Sequence, residues 1–161
     1  MATDCSISYR SPTKEEYPEV LKAFTEYFIN NEPGYKSLGG CPDGLPKCLE
    51  ERYTNFLRDG VSVIAYDDKE QVIAGVMISI LMTREKDGMS EKPTYEELCS
   101  KLNEKAGKIN VVCNDSIHAS DFYASHPEFQ KTLDLFAIGV NEKYQRKGIA
   151  TKLVQESIKV K

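Results

Sequence analysis

The chain has 161 residues, of which 40% are apolar and 29% charged, and its formal net charge is −4. A chain of this length and composition can bury one sizeable core without help from disulfides or metals. Its acidic balance argues against a protein that binds duplex nucleic acid, because the phosphate backbone demands a basic surface.

The sequence contains no pattern typical of a secreted, membrane or zinc-binding protein. The first five residues include no basic or long apolar run, so we expect no secretory signal and infer a cytoplasmic protein. The longest apolar stretch, Val72 to Met82, is much shorter than the ~20 residues of a membrane span and is predicted to be a buried strand. The five cysteines form no CxxC pair, so we expect free, mostly buried thiols and no metal site.

The first predicted elements are a short strand and a helix. Ile7 to Arg10 alternates apolar and polar residues, which predicts a strand. Thr13 and Glu16 have the spacing of a capping box. The apolar residues that follow at helical spacing are Tyr17, Val20, Leu21, Phe24 and Phe28. The run Asn30 to Gly34 is predicted to end this helix, because the residue before Pro33 avoids helical geometry.

A second helix and a hairpin are predicted after a loop rich in Gly and Pro, from Gly39 to Pro46. Four apolar residues share one helical face and precede Gly60, which is placed to terminate the helix; they are Leu49, Tyr53, Phe56 and Leu57. Val61 to Tyr66 and Val72 to Leu81 are β-rich runs joined by polar residues, which predicts an antiparallel hairpin.

The second half of the chain is predicted to contain a polar segment, a strand and a helix. Met82 to Lys131 is polar, with a helix expected over Tyr95 to Lys105. Leu133 to Val140 is predicted to be a strand, and a helix from Gly148 carries an apolar face of Leu153, Val154 and Ile158. This order of elements predicts one αβ domain with at least three adjacent strands and helices packed on them.

The stretch Gln145 to Ala150, between the last strand and the last helix, has the features of an anion cradle. A strand, a tight turn and a helix start leave several backbone N–H groups unpaired at the positive end of the helix dipole. Gly148 allows a phosphate to approach the backbone, and Arg146 and Lys147 add positive charge. The stretch is neither a P-loop nor a GxGxxG dinucleotide fingerprint, which disfavours ATP and NAD as its ligands.

The run QRKGIA resembles the pyrophosphate-binding loop of the GCN5-related N-acetyltransferases. The resemblance implies an α/β fold with a central, mostly antiparallel sheet flanked by helices, and acetyl-CoA as co-substrate without a metal. In that family the coenzyme pairs with the preceding strand, here Ile138, Gly139 and Val140, which would bind the pantetheine arm and the oxyanion, with Gly139 permitting a bulge. The residues implied to hold the pyrophosphate are Gln145, Arg146, Lys147, Gly148, Ile149, Ala150 and Thr151.

The segment Asn30 to Pro33, followed by Leu38, resembles the Glu-Pro segment of the insect-type arylalkylamine (dopamine) N-acetyltransferases. In that family the glutamate is the catalytic base, which implies Glu32 here. From its place on the loop beside Glu32, we expect Tyr35 to line the amine pocket. The implied partner is a small amine such as dopamine, tyramine or serotonin, acetylated directly in a ternary complex without nucleic acid or membrane. Glu32 also has a simpler explanation, because carboxylates are common at helix ends and this one could face water.

The resemblance departs from the family in two places. Gly34-Tyr35 stands where the family more often has an apolar residue after Glu-Pro. The family also continues after the motif helix with further strands and a helix, so residues 1–161 are expected to be a single N-acetyltransferase domain that lacks the last strands. Three alternatives remain open: transfer to a non-aromatic amine such as a polyamine or agmatine, a non-catalytic coenzyme A binding module, and an unrelated αβ protein. His118 and His126 are expected at the surface, without a chemical role.

Overall fold

The computed structural model of the chain describes residues 6–37, 45, 47–83, 108 and 122–159. The helices and strands of these residues are, in chain order, β1 (Ile7–Arg10), α1 (Tyr17–Phe24), α2 (Pro33–Ser37), α3 (Lys47–Arg58), β2 (Val63–Asp67), β3 (Val72–Thr83), α4 (Phe122–Ser125), β4 (Lys131–Val140) and α5 (Ile149–Ser157). A π-helical turn, Thr25–Ile29, extends α1, and 3₁₀ turns occupy Lys14–Glu16 and Glu142–Tyr144.

Several of the sequence predictions fall outside the described residues. These are the helix over Tyr95 to Lys105, most of the loop from Gly39 to Pro46, His118 and the side chains of the five cysteines. His126 is described, and its side chain is exposed as expected, 3.5 Å from a carboxylate oxygen of Glu128. Within the described residues, no helix is long and apolar enough to cross a membrane.

The strands form one antiparallel sheet in the order β1-β2-β3-β4, which confirms the predicted sheet. β2 and β3 form the predicted hairpin. β4 pairs with β3 along its whole length, from Val140 opposite Gly75 to Lys131 opposite Thr83. In the described part of the chain β4 is an edge strand, so its outer backbone groups are not paired with another strand.

The strands contribute residues to a core on each face of the sheet. Val76 and Ile78 belong to the core formed with α1 and α3, which we call the α1/α3 face. Ala74 and Met77 pack with Leu153 of α5 on the opposite face, called the α5 face. Because successive side chains of a strand point to opposite faces, an apolar run that is buried on both sides shows no alternation. This explains the continuous apolar sequence of β3.

The entry to α1 uses the predicted capping residues, although the first turn is a 3₁₀ helix. An oxygen of the Glu16 carboxylate accepts the backbone N–H of Thr13 at 2.8 Å. The guanidinium of Arg10 donates two bonds to the same carboxylate, at 2.8 and 2.6 Å. The hydrogen bonds from Arg10 lower the pKa of Glu16 from 4.5 to about 2. The carboxylate thus ties β1 to the start of α1.

The pKa of Glu16 predicts how its contribution to stability depends on pH. A carboxylate with a depressed pKa in the folded state stabilises the fold above its unfolded pKa of 4.5, and this contribution is lost as pH falls toward about 2. We expect Glu16→Gln to cost about 1 kcal/mol at pH 7, because the pair is partly exposed. In urea titrations of both proteins, this difference should vanish near pH 2. A difference that is the same at both pH values would contradict the assignment.

The run Asn30 to Gly34 ends α1 as predicted, but a further helix, α2, begins at Pro33 and was not expected. Proline is tolerated in the first turn of a helix, where its missing N–H has no partner to lose. The Glu32 carboxylate accepts the N–H of Tyr35 at 2.8 Å, which caps the new helix. The prediction that this run is only a stop was therefore incomplete.

The apolar face of α5 differs from the predicted one at its C-terminal end. Ile149, Leu153 and Ser157 are buried against the sheet, whereas Ile158 is 66% exposed. Five residues at about 100° each place Ile158 well away from Leu153 around the helix axis. The buried Ser157 satisfies its hydroxyl by donating to the Leu153 carbonyl oxygen at 2.9 Å.

Candidate active site

The turn between β4 and α5 contains two residues in the left-handed backbone conformation. Arg146 has a φ of 58° and Gly148 a φ of 77°. A Cβ added at Gly148 would meet nothing within 4 Å. The glycine is therefore required by the backbone conformation and not by crowding, and the space in front of it is open. Left-handed residues in such turns direct successive N–H groups toward one concave side.

The N–H groups of this turn are free to bind a ligand. Those of residues 146–151 donate no hydrogen bond to any described residue, and the next one, Lys152 N–H, donates to the Gly148 carbonyl oxygen at 3.0 Å. The side chains of Arg146 and Lys147 are exposed, and Lys147 Nζ lies 5.0 Å from the centre of the Tyr144 ring. Free N–H groups, a helix N-terminus and two cations favour an anion at this place. We call residues 145–151 the anion cradle.

Tyr144 anchors the cradle to the β2–β3 hairpin turn, which lies at the same end of the sheet. Its hydroxyl donates to Asp67 Oδ2 at 2.9 Å, and Asp67 Oδ1 accepts the N–H groups of Lys69 and Glu70 at 3.0 and 3.1 Å. The N–H of Glu70, the hydroxyl of Tyr144 and the N–H of Lys69 lower the pKa of Asp67. Asp67 is only 2% exposed. Its three donors therefore form a satisfied buried site that fixes both the hairpin turn and the cradle.

Asn141 links the cradle to the turn that leads to Glu32. Its side-chain oxygen accepts the N–H of Lys143 at 3.0 Å, and its amide donates to the hydroxyl of Tyr27 at 3.0 Å. That hydroxyl in turn donates to the Ile73 carbonyl oxygen at 3.0 Å. Burial raises the pKa of Tyr27. The hydrogen bonds that join Asn141 to Tyr27 and Tyr144 to Asp67 were not predicted from the sequence, since the partners are far apart along the chain.

β4 leads into the cradle and contains a bulge, but not at the predicted position. Val76 pairs with Gly139 in regular register, and the irregularity falls where Leu135 and Phe136 lie opposite the single residue Ser79. Gly139 has a different role. A Cβ there would lie 3.0 Å from the backbone N of Phe28 and 3.1 Å from the carbonyl carbon of Tyr27. The glycine thus lets the π-helical turn pack directly on β4.

We expect Gly139→Ala to destabilise the fold by about 1–3 kcal/mol, the usual cost of overpacking against atoms that cannot rotate away. The added methyl group would push against backbone atoms of Tyr27 and Phe28. The free energy of unfolding, measured in urea, checks this. An unchanged midpoint would show that the π-helical turn moves freely relative to β4, contrary to the packing described.

Glu32 lies one helical turn after the residues that contact Gly139. Its N–H donates to the Phe28 carbonyl oxygen at 2.8 Å, and its side chain is half-buried. Oε2 accepts the N–H of Tyr35, while Oε1 makes no hydrogen bond with a described residue. A Cβ at Gly34 would lie 2.9 Å from Oε2, so Gly34 leaves room for the carboxylate. Glu32 is therefore a helix cap with one oxygen left for another partner.

Tyr35, which follows this carboxylate in the chain, belongs to an aromatic cluster on the α1/α3 face. Tyr35 is only 6% exposed and belongs to the core of the α1/α3 face. Phe28, Phe56 and Phe136 are half-buried. The ring centres of Phe56 and Phe136 are 5.7 Å apart, and Phe28 stacks on Phe24 with centres 5.2 Å apart. The bulge in β4 brings Phe136 into this cluster, so sequence periodicity alone did not reveal it.

An edge strand thus runs into an anion cradle, and a carboxylate lies one helical turn after the π-helical turn that packs against that strand. The acetyltransferase (GNAT) family model matches residues 17–160, and the chain belongs to that family. Its class is that of the acetyl-CoA-dependent amine N-acetyltransferases, as the resemblance implied. No curated protein matches the chain.

Solved structures of N-acetyltransferases share the fold. Arylalkylamine N-acetyltransferase 2 from Aedes aegypti is similar with a TM-score of 0.82 and 21% identity, over 96% of this chain and 69% of that one. An agmatine N-acetyltransferase mutant has a TM-score of 0.74 and 16% identity, over 95% and 69%. A Drosophila melanogaster polyamine N-acetyltransferase that forms N-acetylagmatine has a TM-score of 0.74 and 16% identity, over 96% and 69%. These similarities confirm the fold, and the chain spans about 69% of each structure.

Proposed function

We propose that the chain transfers the acetyl group of acetyl-CoA to the primary amine of an arylalkylamine such as dopamine, tyramine or serotonin, in a ternary complex. The observation that carries the proposal is the packing of the π-helical turn on β4, the strand that leads into the anion cradle, with Glu32 one helical turn further along the chain. Both substrates would then meet along one strand. Holding them together supplies much of the rate without a covalent enzyme intermediate.

The cradle residues Gln145 to Thr151 would hold the pyrophosphate of the coenzyme. The free N–H groups of residues 146–151 and the side chains of Arg146 and Lys147 suit two adjacent phosphates. The outer edge of β4 at Ile138, Gly139 and Val140 would pair with the pantetheine arm as an added strand does. A backbone N–H of this edge would stabilise the oxyanion, because a fixed donor needs no reorganisation during the reaction.

Glu32 would accept the proton of the amine, through the oxygen that does not cap α2. An alkylamine has a pKa of about 10.4, so its neutral form is disfavoured at pH 7 by roughly 4 to 5 kcal/mol. An ordinary glutamate is about six pKa units too weak a base for direct transfer. A water relay, or an amine whose own pKa falls on burial, would close this gap. The cap from Tyr35 N–H would hold the carboxylate in place.

The aromatic cluster supports an aryl acceptor. Phe28, Phe56 and Phe136 present half-buried rings on the α1/α3 face, and aromatic rings pack favourably on one another. Tyr35 would form the floor of this amine pocket. A second candidate acceptor is agmatine or a polyamine, because two of the similar structures are of an agmatine and a polyamine N-acetyltransferase.

Initial-rate kinetics with a panel of amines tests the proposal. We expect turnover of tyramine, dopamine or serotonin, with intersecting lines in double-reciprocal plots against acetyl-CoA. Parallel lines would indicate a covalent intermediate and contradict direct transfer. Faster turnover of agmatine or putrescine would favour the second acceptor class. Binding of coenzyme A in calorimetry without turnover of any amine would instead identify a non-catalytic binding module.

A further inference from the structure

A carboxylate of β4, Asp134, lies on the α1/α3 face beside the aromatic cluster. It pairs with Ile80, two residues beyond the pair of Ile78 and Ala137 along β3. Ile78 and Ala137 belong to the core of the α1/α3 face, and residues two apart on a strand share a face. The bulge brings Phe136 to the same face. Asp134 and Phe136 are therefore neighbours on one side of the strand.

Within the described residues, the carboxylate of Asp134 has no partner for its charge. The side chain is half-buried, and burial raises the pKa of Asp134. No described residue donates a hydrogen bond to it or forms an ion pair with it. A carboxylate that is partly removed from water without a donor is unfavourable. Such a group is suited to a ligand that brings its own donor.

The spacing along β4 relates Asp134 to the proposed site of transfer. Ile138, at the proposed acyl end of the pantetheine arm, follows Asp134 by four residues along β4. The bulge adds one extra residue to this stretch, so the two residues are separated by three regular strand steps. Three strand steps correspond to about 10 Å. This is close to the length of an extended tyramine or agmatine molecule. An acceptor whose amine reaches the acyl group would thus bring its far end near Asp134, across the rings of Phe56 and Phe136.

We propose that Asp134 selects acceptor amines that carry a hydrogen-bond donor at the end remote from the reacting amine, either a phenolic hydroxyl or a second cation. This inference rests on the proposed acetyl transfer and specifies its acceptor. Aromatic rings of Phe56 and Phe136 would pack on the middle of the acceptor or attract its cation. An acceptor that lacks the donor would leave the carboxylate desolvated and unpaired, and would be rejected for that reason.

Two pairs of amines test the two kinds of donor separately. Tyramine carries a phenolic hydroxyl that phenethylamine lacks, and agmatine carries a second cation that hexylamine lacks. We expect the wild-type chain to prefer the donor-bearing member of one pair by at least about tenfold in kcat/KM. Asp134→Leu should bring this ratio close to one by raising the KM of that member alone. Asp134→Asn keeps an oxygen acceptor, so it should retain part of a preference for hydroxyl and lose a preference for a cation. The matched control is Asp59→Asn, at the exposed end of α3.

Several outcomes would overturn the inference. Ratios that are the same in the wild type and in Asp134→Leu would show that the carboxylate does not contact the far end of the acceptor. An equal loss of kcat with all four amines would assign Asp134 to the chemical step instead. If no amine is acetylated, the proposed function fails by itself. Calorimetry then tests Asp134 separately, by measuring the Kd of the same amine pairs for the chain saturated with coenzyme A. The expected ratio of Kd values within a pair is the same as that given above for kcat/KM.

Discussion

Gly148→Ala should weaken the binding of acetyl-CoA by about 10- to 100-fold, the equivalent of one lost hydrogen bond to a charged group. Gly148 has a φ of 77°, a conformation that costs other residues about 1–2 kcal/mol. The alanine would relax toward negative φ and turn N–H groups of the cradle away from the phosphates. Calorimetric titration with acetyl-CoA measures the change in Kd directly.

Gly60→Ala is a closely matched control for this variant. Gly60 follows α3, has a φ of 73°, and, like Gly148, would place an added Cβ where nothing lies within 4 Å. The two substitutions therefore impose the same kind of backbone strain in the same kind of space. We expect both to lower the free energy of unfolding by a similar amount, and only Gly148→Ala to weaken coenzyme binding. Equal Kd values for the two variants would contradict the cradle.

Glu32→Gln should lower kcat by about 10²- to 10⁴-fold, the usual contribution of a general base. The Kd of acetyl-CoA should not change, because Glu32 is not in the cradle. Glutamine keeps a side-chain oxygen that can accept the N–H of Tyr35, so α2 should remain capped and the fold intact. Steady-state kinetics with saturating acetyl-CoA measures the effect.

Glu26→Gln provides the control for the Glu32 variant. Glu26 lies in the π-helical turn that precedes Glu32, and its side chain is exposed. Its substitution removes the same charge from the same segment and should leave kcat within a factor of two. If Glu32→Gln behaves in the same way, then Glu32 serves only as the cap of α2. That result would support the simpler explanation of a carboxylate at a helix end.

The elements that the sequence predicted well are those with strong local patterns. The apolar run of β3, the amphipathic α3 with Gly60 after it, and the strand before the cradle all depend on residues close together in the chain. The cradle itself was predictable for the same reason. A glycine between an apolar strand and an amphipathic helix specifies its own geometry, and φ at Gly148 is left-handed.

The contacts that position the site could not be predicted, because they join distant residues. The bond from Tyr144 to Asp67 spans 77 residues and that from Asn141 to Tyr27 spans 114. Neither pair forms a sequence motif. The position of the bulge was wrong for a related reason. A glycine in a strand signals either a bulge or a close approach, and only the packing of Tyr27 and Phe28 on Gly139 decides between them.

A crystal structure of the chain soaked with acetyl-CoA tests the central claim most directly. We expect both phosphates of the pyrophosphate to accept hydrogen bonds from N–H groups of residues 146–151, with the pantetheine arm along the outer edge of β4. The acetyl group should then point toward the free oxygen of Glu32. A bound coenzyme whose phosphates lie away from these amides, or whose acetyl group lies on the α5 face, would contradict it.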